Sequence, residues 1–482
     1  MSNLRPGTDE YLIERLYTGL DSGEPTTLNL WRQSLGKALE TWNLGLAQRL
    51  IMELRRHDLD VLGQAHLRMG RGGLLAKQHY WQDALEDMKK ADSLFAETED
   101  HLGRCWVLLS LGNLYDDFGD WKQAAQSYQE VIALYQKMGD QYGEAQALVN
   151  LGTALYNQSN WKEATEAFRR SLDIFVDVND ISSAAMALSG LGHILTELGE
   201  YEQAIECYEA SLEIFAEEKN LSGEVSTLNN LGRVYDSAGK MEKAIEMYQQ
   251  SLEKAVQQGD LRSQAIALDN MGVSFTGLKR YIDSKNSHER SLVIFRELGD
   301  RSSASASLNH LGLVCTKLGE YDLAENYYSE SLATKRDLGD QRGLVSVLIN
   351  FAEMHLVQQH WEDMKRLCDE TIGVIGDQPF HEPLAIATFL IGLWYFEVRD
   401  FETAAKNFAR AIAIAWNFNS SLGQRINRSI VRHIKTMVQT GKIKDPSRAI
   451  ESILESITRV RTDKDTSATN HLKSLLSEEF RV

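Results

Sequence analysis

A period of forty residues runs through most of this 482-residue chain. The pair Leu-Gly recurs at 111–112, 151–152, 191–192, 231–232 and 311–312, and Met271-Gly272 and Ile391-Gly392 occupy the same place in two further units. A fixed period of this length predicts an array of similar supersecondary units. Each unit in such an array buries its apolar face only against its neighbours, so the units must stack in a row.

Three further positions repeat at the same step. An aromatic or large apolar residue opens the second half of each unit. In most units a small residue follows three positions later and a bulky residue comes four positions after that, with Met364, His288 and Cys368 as exceptions. The opening residues are Trp81, Trp121, Trp161, Tyr201, Met241, Tyr281, Tyr321, Trp361 and Phe401. The small residues allow two helices to approach closely, and the bulky residues fill the space between units.

The spacing within a unit is helical. Ala204, Ile205, Tyr208 and Leu212 share one helix face. The whole chain has only five prolines, the residue that helices tolerate least. Gly-Asp pairs, as at 139–140, mark the junctions between units, because glycine suits the left-handed end of one helix and aspartate suits the cap of the next. Each unit is therefore predicted to be two antiparallel helices.

These residues resemble the tetratricopeptide repeat: an early Leu-Gly, an alanine twelve residues after the glycine, and an aromatic residue four positions later. The forty-residue length is similar to the long-helix variant of kinesin light chains and of the Leu-Gly-Asn adaptors of spindle orientation. The resemblance implies an all-α fold, a right-handed α-solenoid or superhelix of about nine helical hairpins over residues 61–420. Residues 1–60 and the basic segment 421–482 are expected to form degenerate helical caps.

In proteins of this family the first helix of each unit lines the concave surface, so its exposed positions are candidates for binding. The position two residues before the glycine holds Asn150, Asn230, Asn270 and Asn350. An amide offers both a donor and an acceptor to an extended peptide backbone. The alternative is that these amides only fix the repeat geometry. The candidate peptide-binding residues are Asn113, Asp117, Asn150, Asn157, His193, Asn230, Arg233, Asn270, His310 and Asn350. Arg233 has a second explanation, an ion pair with Asp236 or Asp269.

A separate basic feature lies near the end of the sequence. Arg425, Arg428, Arg432 and Lys435 are spaced three, four and three residues apart and share one face of a helix predicted over about 423–440. One interpretation is a docking surface for an acidic partner or a phosphate group. The other is a solvated face that offsets an acidic body. Further helices are predicted over about 446–460 and 467–478.

Composition excludes several classes of protein. The formal charge of −18 argues against general nucleic-acid binding, which needs a positive field. The four cysteines form no CxxC pair, so neither a disulfide framework nor a zinc knuckle is expected. The longest apolar stretch, 384–396, is too short to cross a bilayer, and no secretory signal is recognisable. These features favour a cytoplasmic protein that does not bind membranes.

No constellation for catalysis was found. The sequence lacks the GxxxxGK[ST], GxSxG and HExxH motifs, and we expect no enzymatic activity, cofactor or metal. The predicted function is a protein–protein interaction scaffold or adaptor whose groove binds a polar or basic extended segment of a protein or peptide partner. The alternative is a regulatory sensor that binds a small signalling peptide or effector. The sequence leaves the oligomeric state open.

Overall fold

The structure is a computed structural model, and it describes residues 9–21, 27–41, 43–78, 80–376, 380–418, 420–440, 471–472 and 474–476. The described residues are organised as α-helices and contain no β-strand. The chain divides into two compact halves, Met1–Gly239 and Lys240–Val482, which we treat separately.

The N-terminal half contains twelve helices among its described residues: α1 (Asp9–Asp21), α2 (Thr27–Glu40), α3 (Leu44–Leu54), α4 (Val61–Lys77), α5 (Trp81–Glu97), α6 (His101–Asp117), α7 (Trp121–Met138), α8 (Gln141–Asn157), α9 (Trp161–Asp177), α10 (Ile181–Glu197), α11 (Tyr201–Glu217) and α12 (Leu221–Ser237).

The C-terminal half adds α13 (Met241–Gln258), α14 (Leu261–Gly277), α15 (Tyr281–Glu297), α16 (Arg301–Leu318), α17 (Tyr321–Leu338), α18 (Gln341–Gln358), α19 (Trp361–Ile375), α20 (His381–Glu397), α21 (Phe401–Phe418) and α22 (Ser420–Gln439). From α4 to α21 the helices alternate as first and second members of the forty-residue repeat. The all-α helical-repeat prediction is confirmed.

The junctions between repeats follow the predicted capping chemistry. Gly139 ends α7 with a φ of +73°, a left-handed conformation that glycine adopts without strain. The carboxylate of Asp140 then accepts a hydrogen bond of 2.9 Å from the backbone N–H of Gly143, which caps the start of α8. The helix stop and the helix start at this junction are therefore both defined by the residues that the sequence placed there.

Close packing inside a repeat depends on the glycine of the Leu-Gly pair. A Cβ placed on Gly112 would lie 2.4 Å from Cε1 of Tyr128, the bulky residue of the same repeat. Ala124, on the same second helix, is fully buried. The first and second helices can approach this closely only because one of them lacks a side chain at the contact.

Buried serines tie several of the second helices to the preceding first helix, a feature that was not predicted from the sequence. The hydroxyl of Ser171 donates to the carbonyl oxygen of Ala145 at 3.0 Å, and Ser211 and Ser291 repeat this bond to Ala185 and Ala265 at 2.9 Å. Each serine lies twenty-six residues after the carbonyl that accepts its proton. The bond satisfies a buried hydroxyl that would otherwise destabilise the core.

The first helices of successive repeats also touch one another within each half. Contacts join α8 to α10 and α10 to α12 in the N-terminal half, and α14, α16, α18 and α20 in order in the C-terminal half. Each half therefore presents a wall made of first helices, and the candidate binding residues lie on these walls.

Both ends carry helices outside the repeat pattern. Near the start, Trp31 of α2 is fully buried and its indole N–H donates to the carbonyl of Leu50 at 2.8 Å. At the other end, α22 buries Ile426, Ile430 and Ile434 and packs on α20 and α21. These elements cover apolar surface at the ends of the array, which is the expected role of caps. The helix predicted at 446–460 lies outside the described residues, as does part of the one predicted at 467–478.

Candidate functional site

A cavity of about 750 Å³ lies along the first helices of three successive repeats in the N-terminal half; we call it the N pocket. Its walls come from α8, α10 and α12, and Phe168 and Phe215 contribute from the second helices α9 and α11. None of its lining residues is an Asp or a Glu. Besides the two phenylalanines the lining residues are Val149, Thr153, Tyr156, Asn157, Ser182, Met186, Ser189, Gly190, His193, Asn220, Ser222, Gly223, Ser226, Thr227, Asn230 and Arg233.

One repeat along the N pocket lacks a side chain at the asparagine position. Gly190 stands where Asn150 and Asn230 stand in the adjacent repeats. A Cβ at Gly190 would lie 2.3 Å from Cε1 of Phe168. The ring of Phe168 therefore occupies the place that a side chain at residue 190 would need, and both residues line the N pocket.

Two predicted asparagines reach the N pocket with their amides unused. Asn157 at the end of α8 is exposed, and Asn230 on α12 is half-buried. Neither side chain forms a hydrogen bond with another residue of the described ranges. Since each amide has a carbonyl acceptor and an NH₂ donor, the pair offers groups that match an extended backbone.

His193 is a partly buried aromatic member of the pocket. Its ring meets Tyr156 and Tyr208 edge to face, with centroid distances of 6.3 and 5.9 Å. Burial, together with the positive charge of Arg233, lowers the pKa of His193 to about 4. The imidazole is therefore neutral near pH 7 and presents one donor and one acceptor nitrogen.

Arg233 is the only cationic Lys or Arg side chain that lines the N pocket. It is exposed and forms no ion pair with a described residue of the N-terminal half, so an ion pair with Asp236 does not explain it. At the same wall, the hydroxyl of Tyr156 lies 3.4 Å from Oε1 of Glu197. The structure thus gathers Asn157, His193, Asn230 and Arg233, four of the ten predicted peptide-binding residues, around one cavity.

Three candidates of the N-terminal half lie outside the N pocket. Oδ1 of Asn113 accepts a hydrogen bond of 2.8 Å from the Tyr128 hydroxyl, which is also 2.9 Å from Oδ2 of Asp116. Asn113 is thus held by packing within its own repeat. Asp117 is exposed, and Asn150 is half-buried without a hydrogen bond to the residues that are described.

In the C-terminal half, His310 belongs to a cluster centred on Asp269. Nδ1 of His288 lies 2.8 Å from Oδ1 of Asp269, and Nδ1 of His310 lies 3.1 Å from Oδ2. The Ser307 hydroxyl also donates to Oδ1 at 2.8 Å. Burial raises the pKa of Asp269, but its contacts with His288 and His310 outweigh burial and hold the pKa well below its usual value.

The remaining two asparagines of the column differ from each other. Nδ2 of Asn350 donates to Oδ1 of Asn309 at 3.1 Å, so its amide joins two repeats. Asn270 forms no side-chain hydrogen bond within the part of the chain that is described. The asparagine column is therefore not uniform: Asn350 has the structural role considered from the sequence, whereas Asn230 and Asn270 have no hydrogen bond to a described residue.

The basic face near the end of the sequence also lines a cavity. Arg425, Arg428 and Arg432 of α22, with Lys317 of α16, surround a space of about 430 Å³ that we call the C pocket. Asn350 and Glu353 line it as well. Lys435, the fourth predicted residue of this face, is exposed and does not line it.

Two groups of side chains have ligand atoms close enough to hold a metal ion. In the described residues these are Asp269 with His288 and His310, and His355 with His360 and Asp363. In the first group the carboxylate oxygens already face ring nitrogens and a serine hydroxyl at hydrogen-bond distances. Hydrogen bonding therefore accounts for His288 and Ser307, whereas Nδ1 of His310 lies near the carboxylate without the geometry of a hydrogen bond.

The stacked helical pairs in each half define a helical-repeat protein. The chain belongs to the tetratricopeptide repeat family, since one profile of that family matches residues 62–137, 183–255 and 263–337 and a second matches 109–175. Together these segments cover more than half of the sequence. A profile described as anaphase-promoting complex subunit 5 matches residues 430–479. Comparison with curated proteins gives no significant match.

Solved structures of similar fold share little sequence identity. A STAND-type signal transduction ATPase with a tetratricopeptide repeat sensor, from Pyrococcus horikoshii, is 16% identical with a TM-score of 0.50, covering 71% of this chain and 55% of that one. The apo quorum sensor NprR from B. thuringiensis is 16% identical (TM-score 0.49; 72% and 98% covered). A Rap protein complexed with competence and sporulation factor is also 16% identical (TM-score 0.47; 85% and 99%). These likenesses concern the fold alone. No helix in the described ranges is long and apolar enough to span a bilayer.

Proposed function

We propose that this protein is an interaction scaffold, and that the N pocket binds an extended segment of a partner protein. The observation that supports the proposal is the set of unused polar groups of Asn157, Asn230 and Arg233 around an apolar floor. Asn157 and Arg233 are exposed and Asn230 is half-buried, so all three side chains can be reached from solvent. Groups left available on the wall of a cavity can bind a ligand without first breaking internal bonds.

The pocket can recognise both the backbone and the side chains of such a segment. Its asparagine amides match the alternating N–H and C=O groups of an extended chain. Met186 is 57% exposed and, with Phe168 and Phe215, offers apolar contact to a partner side chain. The volume of about 750 Å³ lies within the range of roughly 300–1,000 Å³ that is usual for ligand pockets. It holds a few residues of a peptide, and the wall of first helices extends the contact.

The charged residues that line the N pocket limit which partner segments it can bind. The sequence predicted a polar or basic segment, but the N pocket has no acidic lining residue to balance a basic ligand. Arg233 instead offers a charge-assisted bond to a carboxylate or a backbone carbonyl. We therefore propose a polar segment that is not basic where it crosses this pocket. The proposal assigns no chemical step to the protein.

Site-specific photo-crosslinking tests the proposal. Dodecapeptides selected by display on the full chain would be presented to protein carrying a photoreactive residue at Met186. The same residue at Val176 is a matched control, because Val176 is 54% exposed and does not line the N pocket. We expect crosslinks from 186 and none from 176. Equal labelling at both positions would contradict the proposal.

The pocket size also supports a second function, a sensor for a short free peptide. A cavity of this volume can enclose most of a very short peptide, which a scaffold groove need not do. Calorimetry separates the two functions. If peptides of five or six residues bind as tightly as the dodecapeptides that contain them, the sensor is favoured. If affinity rises steadily with length, the scaffold is favoured.

A further inference from the structure

The C pocket in the C-terminal half concentrates positive charge in an acidic protein. Lys317 of α16 and Arg425, Arg428 and Arg432 of α22 line it, although the chain as a whole carries a formal charge of −18. All four side chains are exposed, and none forms an ion pair with a residue of the described ranges. Repulsion between four unpaired cations costs free energy, which an anionic ligand would remove.

The one acidic residue of the pocket does not neutralise these cations. Glu353 of α18 lies among them but no nitrogen of the described Lys and Arg residues lies within 4.0 Å of its carboxylate. Burial raises the pKa of Glu353 even though Lys317 and Arg425 act in the opposite direction. Even with Glu353 ionised, four cations against one carboxylate leave the lining of the pocket with a net positive charge.

The C pocket also has an apolar side. Leu390 and Phe389 of α20 and Leu422 and Ile426 of α22 line the same cavity as the four cations. Such a surface suits an aliphatic or aromatic side chain next to the anionic group. Guanidinium groups bind planar carboxylates through two parallel hydrogen bonds. The lining thus combines features that fit glutamate or aspartate beside an apolar residue.

We propose that the C pocket binds an acidic segment of a partner protein, in which carboxylate side chains alternate with apolar ones. The placement of Lys317 opposite α22 distinguishes this site from a basic helix face that is merely solvated. A long polyanion such as a nucleic acid is disfavoured, because it would extend beyond a pocket of about 430 Å³ and meet the field of a chain whose formal charge is −18. This site is separate from the N pocket and does not depend on the function proposed for it.

The test measures binding of a fluorescent twelve-residue peptide of alternating glutamate and leucine to the full chain. We expect affinity to fall with added salt, and to fall at least tenfold in the triple variant Arg425→Gln, Arg428→Gln, Arg432→Gln. The matched control, Arg169→Gln, Arg290→Gln, Arg410→Gln, removes the same charge from exposed arginines outside the pocket. It should bind within about twofold of the wild type. Equal losses of affinity in both triple variants would show that net charge alone causes the effect, and they would overturn the proposal.

A second variant protects the test against a folding defect in α22. Lys317→Gln changes the opposite wall of the C pocket and leaves α22 intact. We expect this single change to lower the affinity for the peptide by about threefold or more. No loss in Lys317→Gln would contradict a shared pocket. Alternating lysine–leucine peptide, inorganic phosphate and a twenty-nucleotide single-stranded DNA serve as competitors. Competition by phosphate or DNA as strong as that by unlabelled peptide would point to a general anion site and overturn the assignment.

Discussion

Gly112 on the first helix of its repeat faces the ring of Tyr128 on the second helix so closely that a Cβ on the glycine would lie 2.4 Å from Cε1. The ring is fixed as well as buried, because its hydroxyl is held by Asn113 and Asp116 on the first helix. It cannot move aside without breaking these bonds. The glycine column is therefore a requirement of the packing between the two helices.

Gly112→Ala is expected to destabilise the protein by about 1–3 kcal/mol, since overpacking forces side chains or backbone to shift. The matched control is Gly36→Ala in α2, where a Cβ meets nothing within 4 Å. That change should stabilise the protein by about 0.5–1 kcal/mol through helix propensity. Urea denaturation followed by circular dichroism measures both. A Gly112→Ala midpoint at or above that of the wild type would contradict the packing argument.

A buried histidine should make stability depend on pH. His66 is 3% exposed and packs edge to face on Phe95, with ring centroids 5.0 Å apart. Burial, then the charge of Arg32, lowers its pKa to about 4, although Asp100 and Asp60 act in the opposite direction. Between pH 6.5 and 4 the unfolded state binds the proton and the folded state does not. The part of the free energy of unfolding that is linked to the lowered pKa of His66 is therefore fully present above pH 6.5, and it is lost as the pH falls toward 4.

We expect protonation of His66 to lower the free energy of unfolding of the wild type by about 1–2 kcal/mol when the pH is lowered from 7.5 to 5. His66→Leu removes the titrating group and keeps an apolar side chain of similar size. Melting temperatures at the two pH values measure the effect. The variant should lose less stability than the wild type on acidification, and an equal loss in the two proteins would show that His66 is not responsible.

The carboxylate of Asp269 joins three helices through His288, Ser307 and His310. Asp269→Asn removes the charge and replaces one acceptor with a donor that faces these groups. The expected cost is about 2–4 kcal/mol, since hydrogen bonds to a buried charged group are among the stronger ones. Asp117→Asn, at an exposed carboxylate, should stay within about 0.5 kcal/mol of the wild type.

Zinc chloride provides a further check on the same cluster. If the three side chains act only through hydrogen bonds, zinc should not raise the melting temperature of the wild type. A rise that disappears in Asp269→Asn would show instead that the cluster binds a metal, and would contradict the expectation of no metal site.

The repeat pattern predicted the fold closely, because each repeated position has one local physical role. Glycine at 139 and aspartate at 140 mark a helix junction in any sequence context, and the structure has the junction there. The serine bonds were missed, since the partner of Ser171 is a backbone carbonyl twenty-six residues away that no side-chain pattern reveals.

The site was only partly predictable for a similar reason. The sequence indicated which positions face the wall of first helices, but it could not show which amides already have partners. Asn350 and Asn230 occupy equivalent positions. The amide of Asn350 is hydrogen-bonded to Asn309, whereas the amide of Asn230 has no hydrogen bond to a described residue. The spacing of the arginines on α22 also could not show that Lys317 lines the same cavity. That arrangement depends on how α22 packs on the preceding helices.

The asparagine column offers a comparison at constant chemistry. Asn230 and Asn270 occupy the same position in adjacent repeats, and neither amide is hydrogen-bonded to a described residue, but only Asn230 lines the N pocket. With a peptide that crosslinks at residue 186, Asn230→Ala should weaken binding about five- to tenfold, the equivalent of roughly 1–1.4 kcal/mol for one lost hydrogen bond. Asn270→Ala should leave affinity unchanged, and both variants should melt as the wild type does. Asn350→Ala, by contrast, should lower the melting temperature, because it leaves Asn309 without its partner. Equal weakening of binding by Asn230→Ala and Asn270→Ala would show that the column acts as a whole and that the N pocket is not the place where the partner is recognised.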